Sequence, residues 1–124
     1  MPRKILIIED QAPMRRNIAL MLDMEGYATC TAGDGAAGLE TLRRERPDLV
    51  LCDVMMPELD GYGVLKALRA DAELRHVPLI FLSAKSDKLD IQAGLEMGAN
   101  SYLTKPVVRE ELLAAVEAQL AAGA

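Results

Sequence analysis

The sequence contains no tryptophan, one phenylalanine and three tyrosines among its 124 residues. Any core must therefore be built from aliphatic side chains, and the hydrophobic content of 51% supplies enough of them. Two cysteines, Cys30 and Cys52, are too few for a disulfide framework or a zinc site. Because both lie in apolar segments, we interpret them as small buried hydrophobic residues.

Long apolar runs and a signal peptide are also missing. No run approaches the roughly 20 residues that a membrane-spanning helix needs, and residues 1–4 show no signal-peptide pattern. These absences predict a soluble, cytoplasmic protein without a membrane partner. The net charge of −5 argues against direct binding of nucleic acid, which requires a basic surface. The length predicts one domain, residues 1–124.

Short apolar runs alternate with helical patterns along the whole chain. The runs predict strands at Ile5–Ile8, Tyr27–Thr31, Leu49–Asp53, Leu79–Ser83 and Ser101–Thr104. Strict alternation of strand and helix predicts an α/β protein whose parallel sheet is covered by helices on both faces. Five such units predict a doubly wound, flavodoxin-like sandwich with strand order 2-1-3-4-5.

The fourth helix is predicted from widely spaced apolar residues, which are Leu89, Ala93 and Met97. Ser86 or Asp87 precedes this pattern and is predicted to cap the helix.

Carboxylates follow two strands that the predicted order makes neighbours. Strand 1 runs into Glu9 and Asp10, and strand 3 ends in Asp53. Ligands of open α/β sheets bind at the carboxyl ends of the strands. Two unit charges about 4 Å apart repel by about 4 kcal/mol at an effective dielectric of 20, so three carboxylates need a cation or a raised pKa. An all-oxygen site of this kind suits Mg²⁺.

Two further polar residues belong to the same predicted edge. Ser83 ends strand 4 and Lys105 follows strand 5. Taken singly, each has an ordinary explanation as a helix cap, a turn or a surface residue. Together with Asp53 and the acidic pair they predict a phosphoryl-transfer site, in which Asp53 is the nucleophile. Mg²⁺ and Lys105 would neutralise the phosphoryl oxygens, and Ser83 would donate to one of them.

The chain resembles the receiver domain of two-component response regulators. The segments that carry the resemblance are Ile7-Ile8-Glu9-Asp10, Asp53-Val54-Met55-Met56-Pro57 with Asp60-Gly61, Leu82-Ser83-Ala84-Lys85 and Gly98 to Pro106. The match covers essentially the whole chain. It implies a phosphoprotein of a two-component system or phosphorelay, a signalling switch whose only activities are its own phosphorylation and dephosphorylation.

The resemblance also implies roles for residues at the metal site. Asp53 would accept a phosphoryl group from a phosphohistidine of a sensor histidine kinase or of a histidine phosphotransfer protein. The ligands of Mg²⁺, or of Mn²⁺ in its place, would be Asp10, Asp53, the backbone carbonyl of Met55 and, through water, Glu9. Met55 and Lys85 are neither acids nor amides that would position an attacking water, which predicts a long-lived phosphoryl group.

A further implication is a conformational switch. Ser83 would move toward the phosphoryl group and Tyr102 would turn inward, changing the surface of helix 4, strand 5 and helix 5 where a downstream protein binds. Lys105 would contact the phosphoryl group, and the bond between Lys105 and Pro106 would be cis. The protein would be a monomer or a phosphorylation-dependent dimer.

Alternatives to a stand-alone receiver stay open at this point. The chain could be the receiver part of a larger regulator with a DNA-binding or enzymatic output domain. A flavin- or nucleotide-binding protein of the same architecture would want a phosphate-binding loop after strand 1, where Glu9 and Asp10 stand instead. A phosphatase with an aspartate nucleophile would need a second aspartate two residues after Asp53, where this chain has Met55.

Overall fold

The computed structural model describes residues 2–84 and 88–122, in which strands and helices alternate as predicted. The strands are β1 (Lys4–Ile8), β2 (Ala28–Ala32), β3 (Leu49–Asp53), β4 (Leu79–Ser83) and β5 (Ser101–Thr104). The helices are α1 (Ala12–Met24), α2 (Gly35–Glu45), α3 (Gly61–Ala70), α4 (Lys88–Glu96) and α5 (Arg109–Ala122). Strand β1 begins one residue earlier than predicted and β2 is shifted by one residue, whereas the other three strands match.

All strand pairs are parallel, and the sheet order is β2-β1-β3-β4-β5. This confirms the predicted doubly wound α/β architecture. The register pairs Ile8 with Cys52 and Asp53 with Leu82. The carboxyl ends of β1, β3 and β4 therefore meet at one edge of the sheet.

The sheet separates two apolar layers. Ile5 and Ile7 of β1 pack with residues of α1 and α5, whereas Leu6 and Ile8 pack with residues of α2 and α3. Successive side chains of a strand point to opposite faces, so one apolar run supplies both layers. Cys52 is buried in the second of these layers, as predicted, whereas Cys30 is only partly buried.

Polar residues begin two of the helices at the carboxyl edge. The side chain of Asp34 accepts a hydrogen bond from the Ala37 backbone N–H at 2.7 Å, at the start of α2. Asp60 accepts from the Gly63 N–H at 2.9 Å, at the start of α3. Such caps satisfy N–H groups that have no partner inside the helix. Within residues 2–84 and 88–122, no helix is both long enough and apolar enough to cross a bilayer.

Helix α4 forms where it was predicted but buries a different face. Leu89 is 75% exposed and Met97, just after the helix, is 48% exposed. Gly94 is the buried residue of α4. A Cβ atom at Gly94 would lie 3.2 Å from the ring of Phe81 and 3.3 Å from the ring of Tyr102. A residue without a side chain thus lets the helix approach two aromatic rings. The predicted caps lie outside the described residues.

Three of the four aromatic residues form a chain of rings beneath α4. The centroids of Tyr62 and Phe81 are 5.4 Å apart, and those of Phe81 and Tyr102 are 6.2 Å apart. Both pairs are edge-to-face, an arrangement that aromatic quadrupoles favour. The rings connect α3, β4 and β5 on one side of the sheet.

Candidate functional site

The acidic residues predicted from the strand ends come together at the carboxyl edge of the sheet. Glu9 directly follows β1 and is fully buried, and Asp53 ends β3 with 3% of its surface exposed. Asp10 is exposed. One carboxylate oxygen from each of the three residues lies within 4.8 Å of the others. The structure therefore concentrates up to three negative charges at one point.

Lys105 reaches into this acidic group from the end of β5. Its Nζ lies 2.8 Å from Glu9 Oε1 and 3.1 Å from Asp53 Oδ1. Burial works against the charged form of Lys105, but the two carboxylates outweigh it and raise the pKa of the ammonium. Lys105 is thus a cation held in contact with both buried acids.

The two buried carboxylates differ in how easily they ionise. Burial, together with the negative charge of Glu9, raises the pKa of Asp53 to about 7, although Lys105 partly offsets both effects. Burial also opposes ionisation of Glu9, but Lys105 and the backbone N–H of Gln11, 3.1 Å from Glu9 Oε2, lower its pKa on balance. Asp53 is therefore the acid whose charge is least well compensated by the protein.

These residues fit a divalent cation with a preference for oxygen. Glu9 Oε1 is buried and has the Lys105 ammonium as its partner at 2.8 Å. One ammonium cannot balance three carboxylates, so the cluster keeps an excess of negative charge that a cation would offset. Asp10 and Asp53 offer direct oxygen ligands, and Glu9 could accept from a metal-bound water. The donor set suits Mg²⁺ better than a softer metal.

The backbone behind Asp53 is fixed by a glycine. A Cβ atom at Gly61 would lie 2.4 Å from the carbonyl oxygen of Asp53 and 2.9 Å from Val54 Cα. The Gly61 N–H donates to the Val54 carbonyl at 2.8 Å. Any side chain at position 61 would displace the end of β3. The local sequence pattern indicates Gly61 as part of a motif and does not indicate this role.

The predicted hydroxyl and the predicted cis bond are both found. Ser83 ends β4, is 1% exposed and lies one residue beyond the partner of Asp53 in the register. Its carbonyl accepts a hydrogen bond from the Lys105 N–H at 2.7 Å. The peptide bond between Lys105 and Pro106 is cis. Ser83 and Lys105 thus belong to one connected edge beside Asp53.

The remaining predicted residues lie around this edge. Met55 follows β3 in a loop, with 59% of its surface exposed. Tyr102 lies within β5 and is half-buried against Phe81. Lys85, which was expected to border the path of attacking water, lies outside the described residues.

One residue at the site was missed by the sequence analysis. Arg15, in the first turns of α1, donates from Nη1 to the carbonyl oxygen of Glu9 at 2.7 Å. Nothing in the local pattern distinguishes Arg15 from the exposed Arg16 beside it. The contact depends on how α1 packs beside the end of β1, which only the tertiary structure shows.

Comparisons with known proteins place the chain among signalling proteins. A family model described as the response regulator receiver domain matches residues 5–117. The DNA-binding response regulator MtrA of Mycobacterium tuberculosis (strain ATCC 25618 / H37Rv) is 42% identical over 120 residues, which are 97% of this chain and 51% of that protein. The chain spans about half the length of the curated relatives it matches.

Solved structures of similar size share the whole fold. The receiver domain of Francisella response regulator 1452 superposes with a TM-score of 0.91 and 31% identity, covering 98% of this chain and 99% of that one. The chemotaxis protein CheY4 of Vibrio cholerae gives a TM-score of 0.89 and 29% identity, covering 95% and 98%. The chain therefore belongs to the response regulator receiver domain family.

Proposed function

We propose that the chain is a phosphoacceptor of a two-component system or phosphorelay, with Asp53 as the residue that is phosphorylated. The observation that carries the proposal is the buried contact of Lys105 with Glu9 and Asp53, at 2.8 Å and 3.1 Å. The donor would be a phosphohistidine of a sensor histidine kinase or of a histidine phosphotransfer protein. Residues 1–124 would act as one receiver domain in the cytoplasm.

The transfer needs a nucleophile and neutralisation of charge. An Asp53 oxygen attacks phosphorus, the bond from phosphorus to the imidazole nitrogen breaks, and the nitrogen keeps the electron pair. Lys105 holds positive charge beside the attacking carboxylate and can follow the phosphoryl oxygens. Mg²⁺, or Mn²⁺, would supply further neutralisation of those oxygens when bound. Its ligands would be Asp10, Asp53, the Met55 carbonyl and, through water, Glu9.

The same site would also catalyse removal of the phosphoryl group. Attack of water on the phosphoryl group returns Asp53 and inorganic phosphate, so the chain would catalyse only its own phosphorylation and hydrolysis. A flavin- or nucleotide-binding function has no support at this edge, because three carboxylates repel a phosphate when no metal is bound.

The phosphoryl group would be sensed through Ser83 and Tyr102. Ser83 is buried next to Asp53 in the sheet, and Tyr102 packs against Phe81 and close to Gly94 of α4. A shift of Ser83 toward the phosphoryl group would change the space that the tyrosine ring can occupy. The output would be a change in the surface of α4, β5 and α5, where a downstream protein or a second copy of the chain would bind.

A second candidate is the receiver part of a longer DNA-binding regulator. MtrA is named as a DNA-binding response regulator and is about twice as long as the matched region. In that case contact with nucleic acid would be made by another domain, and the phosphoryl chemistry proposed for Asp53 would stay the same. The extent of the complete reading frame distinguishes this candidate from a stand-alone receiver.

The test of the central proposal is phosphorylation by acetyl phosphate in Mg²⁺. Intact-mass spectrometry should show one added phosphoryl group on the native chain and none on the Asp53→Asn variant. Asp48→Asn is the matched control, because Asp48 immediately precedes the opposite end of the same strand, where its carboxylate accepts from the Lys4 N–H at 2.8 Å. Equal labelling of the native chain and Asp53→Asn would refute the assignment.

A further inference from the structure

Within residues 2–84 and 88–122, Arg15 is the cationic side chain that bonds to the backbone of the acidic edge rather than to its carboxylates. Its Nη1 donates to the Glu9 carbonyl oxygen at 2.7 Å. That carbonyl belongs to the peptide bond joining Glu9 to Asp10, so two of the three acidic side chains leave from the two ends of the same peptide unit. The orientation of this unit decides where both carboxylates point.

The backbone of Arg15 is fixed in α1, and its guanidinium lies close to a neighbouring loop. The Arg15 backbone N–H donates to the Gln11 carbonyl at 2.9 Å, which fixes the first turn of α1 against the loop after β1. The guanidinium also lies over Gly33, where a Cβ atom would be only 3.2 Å from Nη1. Arg15 thus spans α1, the Glu9 carbonyl and the loop between β2 and α2.

Sheet pairing reaches the peptide unit before Glu9, and Arg15 holds the peptide unit after it. The Glu9 N–H donates to the Ala32 carbonyl at 3.1 Å, which extends the pairing of β1 with β2 by one residue. Its carbonyl lies beyond the described strand and accepts from Arg15 instead. Without Arg15, the peptide unit that joins Glu9 to Asp10 would lose this hydrogen bond.

We infer that Arg15 is a positioning residue for the metal site, holding the Glu9–Asp10 peptide so that both carboxylates serve one ion. The inference rests on the proposed function, since it concerns the Mg²⁺ on which phosphorylation of Asp53 would depend. Partners that orient metal ligands typically contribute about 10- to 100-fold to metal affinity.

A purely electrostatic effect of Arg15 would change Mg²⁺ affinity in the opposite direction. This difference makes the inference testable. Removing a positive charge near three carboxylates strengthens the attraction of the site for a cation. If Arg15 acted only through its charge, its loss would tighten Mg²⁺ binding. If it acts by positioning, its loss weakens binding in spite of the charge.

The experiment is calorimetric titration of the metal-free chain with Mg²⁺, comparing native protein with Arg15→Met, Arg15→Lys and Arg16→Met. Arg16 is the matched control, since it is the adjacent and exposed arginine of the same helix. We expect about a tenfold loss of affinity in Arg15→Met, partial recovery in Arg15→Lys, which can still donate one hydrogen bond, and no loss in Arg16→Met. Thermal melting of each metal-free variant shows that the fold is retained.

Two results would overturn the inference and are distinguishable. Native Mg²⁺ affinity in Arg15→Met, or tighter binding, would refute the positioning role while leaving the proposed function intact. Failure of the native chain to bind Mg²⁺ would refute both.

Discussion

Asp53 is held in a folded environment that opposes its ionisation when no metal is bound. Its pKa rises to about 7 through burial and the charge of Glu9. A carboxylic acid whose pKa is raised by folding binds its proton more tightly in the native state than in the unfolded one. Its contribution to stability is therefore present below about pH 4 and is lost as the pH rises toward 7.

Replacing Asp53 by asparagine should stabilise the metal-free protein at high pH. Asparagine keeps the shape and removes the charge, so the free energy of unfolding should rise by on the order of 2 kcal/mol at pH 8, and the gain should shrink toward pH 4. Urea unfolding in EDTA at several pH values measures the gain in stability and its dependence on pH. Asp48→Asn serves as control, and an Asp53→Asn variant no more stable than native at pH 8 would contradict the prediction.

Met55 predicts a slow loss of the phosphoryl group. Its exposed thioether cannot orient a water for attack, since sulfur accepts hydrogen bonds only weakly. After removal of the donor, the aspartyl phosphate should persist for minutes or longer, and Met55→Asn should shorten its lifetime several-fold. Timed mass spectra in Mg²⁺ give both rates. A half-life of only seconds for the aspartyl phosphate of the native chain would refute this hypothesis.

At the scale of elements, one arginine connects several segments at the end of the sheet opposite the site. All five N–H groups of Arg69, in the last turn of α3, have acceptors among the described residues. These acceptors are the carbonyls of Arg75, Val77 and Gly98 and the side chain of Asn100. Asn100 in turn accepts from the Leu79 N–H at 3.0 Å. The contacts join α3 to the segments that enter β4 and β5.

Arg69→Met should therefore lower the free energy of unfolding by about 2–4 kcal/mol, because several acceptors lose a charged partner at once. Arg43→Met is the matched control, since Arg43 is an exposed arginine in the last turn of α2, and it should cost much less. Denaturant unfolding of both variants decides the matter. Equal losses in the two would show that the network adds nothing.

Elements differed in how far the sequence determined them. Strand β3 was predicted to the residue because it is apolar throughout and ends in Asp53. The buried face of α4 was not predictable from periodicity, because the residue it buries is Gly94 and the rings that meet it come from other elements. Arg69 gave no local signal either, since Asn100 lies 31 residues away from it in the chain.

At the scale of the whole molecule, metal binding and folding are linked. A cation that binds only the native state stabilises it by about 1.4 kcal/mol when its concentration is tenfold above the dissociation constant. Since the ion competes with the proton on Asp53, Mg²⁺ should raise the melting temperature more at pH 8 than at pH 6.

Asp10→Asn tests this linkage. Asp10 is exposed and repels the other two carboxylates, so its replacement should not lower the metal-free melting temperature, while it should remove most of the effect of Mg²⁺. Scanning calorimetry at two pH values gives the comparison. An unchanged Mg²⁺ effect in Asp10→Asn would exclude Asp10 as a ligand.

The candidate site was predictable because its residues are the terminal residues of strands, whose carboxyl ends meet at one edge of a parallel sheet. Glu9, Asp53 and Lys105 were brought together on that basis, and the structure places them in contact. The ionisation of Asp53 and the role of Gly61 could not be predicted, because both depend on distances across the fold.

The ring chain of Tyr62, Phe81 and Tyr102 has a practical consequence. With no indole in the chain, ultraviolet absorption and emission come from three phenols and one phenyl ring, and only Tyr27 stands outside the group. Near-ultraviolet circular dichroism and tyrosine emission therefore report largely on the region between β4, β5 and α4. The protein carries its own optical probe at the position where the proposed switch would act, so activation can be followed without an attached dye.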